Sequence, residues 1–400
     1  MSEKLESMLL EGLVPSEPPI KKIHTYDSIM AKAKIQEENS GQKPTFEHIS
    51  TYCFARIENP REFQQVLKEH TKMLVGTVIV SFEGLNLFLC GLKEDAQNFK
   101  AWLGKYDERF QKGCWWKDSP MKSLAYRKSA RIRLKKEIVT MGIKDIDPTK
   151  EKVPYISPID LQKLLEEHQQ HHQQQLQQSA VDEEMDFSLI EKTKTNNNLI
   201  LLDTRNEYEC RMGTFNCEFN RILPMKNFKQ FPTLMSSKDL LENKGIDKKN
   251  TTVITYCTGG IRCEKGAPLL KRLGFDNVFQ LEGGILKYFH DVPKEKAEKF
   301  WKGECFVFDR RVCVDFDWQQ SKTSTQCFVC REPLTLEEQN DPAYIQGTSC
   351  KYCINKTAKE IELELQQKKE GEGGGDASDF LHDEEKDSNY VPSSSSIAQQ

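Results

Sequence analysis

The segment TTVITYCTGGIRCEKGAPLLKRLGF (251–275) constrains the fold more than any other stretch of this 400-residue chain. A short β-branched apolar run leads into Cys257-Thr258-Gly259-Gly260-Ile261-Arg262, and a helix-like segment follows. A cysteine at the C-terminal tip of a buried strand, opening a helix, belongs to an α/β sheet, where chemistry sits beyond the strand ends. Two glycines let the backbone curl until several N–H groups face one point, and such a nest on a helix N-terminus stabilises an anion. Arg262 adds a fixed positive charge. Both effects should depress the Cys257 thiol pKa and make Cys257 a nucleophile, against the plainer reading of a buried cysteine in a glycine turn. Cys263 follows directly, either as a resolving thiol for an oxidised or persulfidated Cys257 or as a helix-face cysteine packed inward.

The surroundings extend the α/β reading. NLILLDTR and TTVITYC are runs of the kind buried in parallel sheets, and residues 158–299 alternate strand and helix signals. HQQHHQQQLQQ and TNNN fall within an insertion at about 166–198, expected as a solvated loop. His168, His171 and His172 there read as a polar tract rather than a metal site. Upstream, residues 49–146 give a strand (TYCFARI), a helix (PREFQQVLKEHTKML), two strands turning at Glu83-Gly84, a second helix and a final strand (ARIRLKKEIVTM). That β-α-β-β-α-β order predicts a ferredoxin-like, acylphosphatase-like domain, a superfold that carries no function by itself. Residues 147–157 are expected to be a linker and 1–48 a flexible lead-in. The whole is an α/β plus α+β multidomain chain.

In the C-terminal part, Cys327-x2-Cys330 and Cys350-x2-Cys353 lie 19 residues apart. Two such knuckles predict a structural Zn2+ site, closed by four thiolates and open to no substrate. A Cys-rich zinc module is expected over 300–358, with Cys305 and Cys313 as packed strand residues. A partly helical, then disordered, acidic tail is expected over 359–400.

Composition excludes some classes. Lys and Arg number 57 against 61 Asp and Glu, so the net charge of -4 gives no global case for nucleic-acid or membrane binding. No apolar run is long enough for a membrane span, and the acidic N-terminus offers no secretory h-region. The odd number of cysteines, 13, then argues for thiol and metal chemistry in a reducing compartment, with the cytosol as the expected location. One local exception is basic: Lys122, Arg127, Lys128, Arg131, Arg133, Lys135 and Lys136, with no acid among them. Trp115, Trp116 and Tyr126 are close by. Phosphate neutralisation with aromatic stacking is how single-stranded RNA loops are held. The competing reading is an edge strand made basic to block pairing.

LLDTRNEYE (201–209), the cysteine loop and LEGGILKY (281–288) together resemble the rhodanese pattern, in which the loop cysteine carries a persulfide or another sulfur adduct. The six-residue loop is one shorter than in related phosphatases, which implies thiolate or sulfur chemistry. FEGLN (82–86), KKEIVTMGI (135–143), DP (147–148), YISP (155–158) and GECFVFDRRV (303–312) also agree in order. From about 50 to 312 the chain resembles bacterial tRNA uridine hydroxylases (TrhO, formerly YceA) and their eukaryotic rhodanese-domain relatives. The resemblance implies oxygen-dependent hydroxylation of the tRNA wobble uridine at carbon 5. It makes Cys257 the essential cysteine, Arg262 the loop arginine, and Asp203 and Arg205 a structural and site-lining pair. The expected partner is a tRNA anticodon loop, with molecular oxygen as co-substrate. Where the family has Gly-His-Phe, this chain has Gly213-Thr214-Phe215. No flavin, haem or nucleotide cofactor motif is evident. Two alternatives stay open: a thiosulfate-type sulfurtransferase fed by a small sulfur donor, and a non-enzymatic RNA-binding or redox-sensing module.

Overall fold

The computed structural model describes residues 25–124, 129–143, 145–181, 198–237 and 246–371. The N-terminal domain is one five-stranded sheet with helices on it. Its elements are α1 (Thr25–Ser40), β1 (Phe46–Phe54), α2 (Pro60–His70), β2 (Val75–Ser81), β3 (Gly84–Leu92), α3 (Lys93–Tyr106), β4 (Lys117–Met121) and β5 (Arg131–Leu134). The strand order is β4-β1-β3-β2-β5. The first four strands pair antiparallel, as the ferredoxin-like reading requires, and β5 adds parallel to β2 at the edge. The helices form for local reasons. Asn59 caps α2 by accepting the Glu62 N–H at 3.2 Å, Pro60 opens the first turn, and Phe63 and Leu67 point into the core.

Three expectations for this part are corrected. The fourth strand of the ferredoxin pattern is Lys117–Met121, while ARIRLKKEIVTM supplies only the added edge strand, Arg131–Leu134. KDSPM is polar and holds a proline, so no side-chain alternation announces it; its pairing with β1 is a backbone matter. The lead-in over 1–48 is helical from Thr25 to Ser40, because Ile29 and Ala33 bury against Phe46, Val75 and Leu92; residues 1–24 lie outside the described residues. The linker over 147–157 is packed: Val153 is buried in the next domain's core, and Tyr155–Ile156 forms a strand of its sheet.

That second domain contains β6 (Tyr155–Ile156), α4 (Pro158–Val181), β7 (Asn198–Asp203), α5 (Glu207–Met212), β8 (Gly213–Phe215), β9 (Asn220–Ile222), α6 (Phe231–Ser236), β10 (Thr251–Tyr256), α7 (Cys263–Arg272), β11 (Asn277–Leu281) and α8 (Gly284–Asp291). Five strands form a parallel sheet of order β6-β11-β10-β7-β9. One face packs on Leu161, Leu165, Ile285 and Phe289, the other on Phe228, Phe231, Ala267 and Leu270. The glutamine-rich insertion corrects a further expectation. Its first part continues α4 to Val181 instead of looping, since Gln is a good helix former and Leu161 and Leu165 anchor the helix. His168 packs on Phe219 at 5.4 Å between ring centroids, while the side chains of His171 and His172 lie outside the described residues.

The C-terminal module begins later than residue 300. β12 (Trp301–Gly303) pairs with β8, and Phe300, Cys305, Val307 and Val314 complete the second domain's core. β13 (Cys305–Phe306) and β14 (Cys313–Val314) form a hairpin in which both cysteines are buried. The module proper starts with β15 (Thr325–Gln326) and β16 (Pro333–Leu334), and α9 (Ala358–Gly371) follows it. The rest of the acidic tail lies outside the described residues. No described helix is long and apolar enough to cross a membrane.

Candidate active site

β10 is the central strand of the parallel sheet, so the loop after it opens where flanking strands leave room. Cys257 is fully buried there, and the Gly260 N–H donates to its Sγ at 3.1 Å. Gly260 has a φ of +96°, and a Cβ on it would stand 2.7 Å from the Tyr52 hydroxyl. Gly284, at φ +67°, presses on the loop so closely that a Cβ would lie 2.4 Å from the Cys257 carbonyl oxygen. Only glycine satisfies both demands. The Ile285 and Leu286 N–H groups then donate to the Cys257 and Thr258 carbonyls, each at 3.0 Å. LEGGILKY is therefore the second wall of the cysteine loop.

Arg262 is the N-cap residue of α7, with its guanidinium committed. It donates to both Glu209 oxygens, at 2.6 and 2.7 Å, and the Thr258 hydroxyl donates to the same carboxylate. Glu209 ends the LLDTRNEYE string and escaped the sequence reading; an acid 53 positions from the loop arginine has no local signature. Burial pushes the Cys257 thiol up. Hydrogen bonding from Cys263, the Arg262 charge and the Arg262 and Gly259 N–H groups outweigh it and lower the pKa to about 5. Cys263 shifts the other way, raised by burial and by the Cys257 charge. The two thiols thus share one proton, held on Cys263.

Asp203 and Arg205 form a fully buried pair, with 2.7 Å between Oδ2 and Nη2. Arg205 also donates to the Gly213 carbonyl at 2.7 Å. They brace the turn beneath the loop and do not line the cavity above it, which corrects the site-lining role expected for them.

That cavity, of about 70 Å³, lies between the two domains. Cys257, Thr258, Gly259, Ile261 and Arg262 form its floor. The N-terminal sheet supplies His48, Ser50, Tyr52, Asn86, Phe88 and Lys117, and the segment after β13 supplies Phe308, Asp309 and Arg311. Arg311 chelates Asp309 as Arg205 chelates Asp203, at 2.6 Å. His48 Nε2 is 3.6 Å from the Asp309 carboxylate, yet burial lowers the His48 pKa to about 4, so the imidazole is neutral. None of these wall residues was legible as a site residue. GECFVFDRRV carries Asp309 and Arg311, but their place opposite Cys257 is a tertiary fact.

The domains are locked around the cavity. Tyr52 and Tyr155 donate to Glu264 at 3.1 and 2.8 Å, and Lys265 bridges Glu83 and Glu137. Trp115 packs at this interface, 6.1 Å from Trp318 between centroids, and Trp116 packs beside the N-terminal core. On β5, Ile132 is buried while Arg131 and Arg133 share the opposite, half-exposed face, and Lys135 follows the strand. Arg127, Lys128 and Tyr126 lie outside the described residues.

Far from the loop, the sulfurs of Cys327, Cys330, Cys350 and Cys353 lie within 4.8 Å of one another and could hold a metal ion. Three of their separations are 3.5, 3.8 and 3.9 Å. A tetrahedral thiolate site with metal–sulfur bonds of about 2.3 Å requires about 3.8 Å between sulfurs, so the donor set fits.

Comparison with known proteins agrees with this division. Residues 46–138 match the UPF0176 acylphosphatase-like domain and residues 188–291 the rhodanese-like domain. Among solved structures, a human single-domain sulfurtransferase is 13% identical, with 35% of this chain and 99% of that one covered and a TM-score of 0.24. The BH2092 protein of Bacillus halodurans is 20% identical over 39% of this chain and 80% of its own, with a TM-score of 0.22. An NAD-dependent persulfide reductase from A. fulgidus is 12% identical over 64% of this chain and 35% of its own, also at 0.22. With an acylphosphatase-like domain followed by a rhodanese domain on one chain, the protein has the architecture of the TrhO/YceA family.

Proposed function

We propose that this rhodanese-domain enzyme hydroxylates a tRNA wobble uridine at carbon 5, with Cys257 as the reacting thiolate. The observation that carries the reading is a cysteine, its sulfur accepting the Gly260 N–H, at the floor of a cavity whose opposite wall is the acylphosphatase-like domain. A flipped base is read in such a pocket by polar groups and apolar faces together. Asn86, Ser50 and Thr51 offer the first, and Phe88, Leu286 and Phe308 the second. Addition of the thiolate to carbon 6 of uracil would leave an enolate whose carbon 5 is nucleophilic; a C5–O bond to O2 would form there, and two thiols would supply the two electrons that cleave O–O and release the second oxygen as water. Loss of the carbon 5 proton and of the thiolate restores the ring. Overall, uridine, O2 and two thiols give 5-hydroxyuridine, water and one disulfide, so a thiol reductant is required. Arg131, Arg133 and Lys135, with Arg127 and Lys128, are proposed to hold the RNA backbone. The four-cysteine cluster is proposed to bind Zn2+ structurally, replacing a core that so short a polar segment lacks.

The second reading is sulfur transfer. The Cys257 thiolate would attack the outer sulfur of thiosulfate, form a persulfide and release sulfite. The Gly260 N–H on Sγ favours any anionic sulfur at this position. The intact, charged loop counts against a non-enzymatic RNA-binding or redox-sensing module.

The test is nucleoside mass spectrometry of tRNA from cells lacking the gene, rescued with wild type or Cys257→Ser. A 5-hydroxyuridine-type nucleoside should return with wild type alone, while Cys257→Ser stays folded. An unchanged nucleoside profile refutes hydroxylation, and turnover of thiosulfate with cyanide would then support sulfur transfer.

A further inference from the structure

We propose that Lys117, delivered by the N-terminal domain, is the counter-ion of Cys257, and that this pair makes the cavity a receptor for a neutral polar group rather than an anion. Lys117 begins β4, where its register opposite Ser50 turns it toward the rhodanese loop. It is 6% exposed. The ammonium lies 4.9 Å from the Trp115 ring centroid and 5.3 Å from that of Tyr52. Gly259 closes the far side: a Cβ there would stand 3.2 Å from Lys117 Cε and 3.4 Å from Nζ. The charge is therefore held against the loop that Cys257 opens.

A buried ammonium is costly unless an anion meets it. Ring faces return only part of that cost. Among the described residues no carboxylate comes within 4.0 Å of Lys117; Cys257 and Cys114 are the thiols whose charge meets it, and of the two only Cys257 lines the cavity. Burial lowers the Lys117 pKa to about 8, while the charges of Cys257 and Cys114 hold it up.

The other charged groups facing the cavity are matched within the protein. Arg262 is spent on Glu209 and Arg311 on Asp309. His48 is neutral, and Tyr52 donates to Glu264 behind it. With Lys117 paired to ionised Cys257, the site has no net charge left to offer an oxyanion. An imide such as uracil, neutral and rich in N–H and C=O groups, suits its polar wall and its apolar Phe88, Leu286 and Val307. The substrate class rests on Cys257 being the reacting thiolate; the ion pair does not depend on which reaction follows.

The experiment is alkylation of Cys257 in the full chain with iodoacetamide and with iodoacetate as pH is varied, followed by mass spectrometry. Each reagent loses iodide as the thiolate sulfur bonds to its carbon. Lys117→Met should raise the midpoint by about one pH unit, so that iodoacetamide reacts about tenfold more slowly below it. It should also slow iodoacetate further, because the thiolate is then an uncompensated charge. Lys117→Arg should keep the wild-type midpoint. Buried Cys210 and Cys305 staying unmodified reports that each variant is folded. A Lys117→Met midpoint equal to wild type overturns the ion pair. At neutral pH, uridine should protect wild-type Cys257 and thiosulfate should not; the reverse overturns the neutral-ligand assignment. The alkylation midpoint needs no turnover, so failure of the hydroxylase reading would leave the ion-pair result standing, while the protection result tests the ligand class by itself.

Discussion

Replacing Lys265 by methionine tests whether the two domains are held as one site. Lys265 projects from α7 of the rhodanese domain and is 1% exposed. Its Nζ lies 2.8 Å from Glu83 and 2.7 Å from Glu137, both on the N-terminal domain and 21% and 17% exposed, and it also donates to the Val139 carbonyl. At an effective dielectric constant near 20, each ion pair contributes about 6 kcal/mol of Coulomb energy. Desolvation of the three charges and repulsion between the carboxylates cancel most of it. Removing only the lysine leaves two carboxylates facing each other, at a cost of about 3–5 kcal/mol. Their partial exposure places the expected loss near the lower end, about 3 kcal/mol. Burial already raises the Glu83 pKa, with Lys265 pulling the other way. Without Lys265 it rises further. A carboxyl that is more basic when folded holds a proton the unfolded chain releases, so the variant should lose stability as pH rises above about 4.5. Lys265→Met combined with Glu83→Gln and Glu137→Gln should recover most of the loss, because no charge is then left unmatched. Urea unfolding followed by tryptophan fluorescence measures both variants. A loss below about 1 kcal/mol for Lys265→Met, or a triple variant no better than the single one, would refute this account of the interface.

Protonation at His48 gives a second test. Its folded pKa, lowered to about 4, lies below the unfolded value of 6.5, so stability is full above 6.5 and falls as pH drops toward 4. His48→Gln should flatten that slope in pH-dependent melting. At the metal cluster, Cys350→Ser should abolish binding of about one metal ion per chain by elemental analysis and expose 325–371 to protease, while the rhodanese core keeps its melting transition. On β5, Arg131→Gln with Arg133→Gln should weaken binding of an anticodon-loop RNA and reduce the log–log salt slope by about 1.4; an unchanged slope would assign the strand to edge protection alone.

What could be read along the chain was chemistry carried by neighbours in sequence. The β10–loop–α7 unit, with Cys257, the glycines and Arg262, is contiguous, so strand propensity and backbone freedom announce it. The CxxC knuckles, the β2–β3 hairpin and the apolar runs of β7 and β10 are local in the same sense. The partners of those residues were decided in three dimensions. Glu209 reaches Arg262 across 53 positions, His48 meets Asp309 from the far end of the chain, and Lys117 arrives on a strand too polar to be recognised. β4 takes its place beside β1 through main-chain hydrogen bonds, which are nearly blind to side chains, and the more strand-like RIRL is added at the opposite edge. Periodicity reports which face of an element is buried, but not which other element buries it. The reactive cysteine was therefore visible in the sequence, whereas the cavity above it, its counter-charge and its neutrality depend on two domains folding against each other.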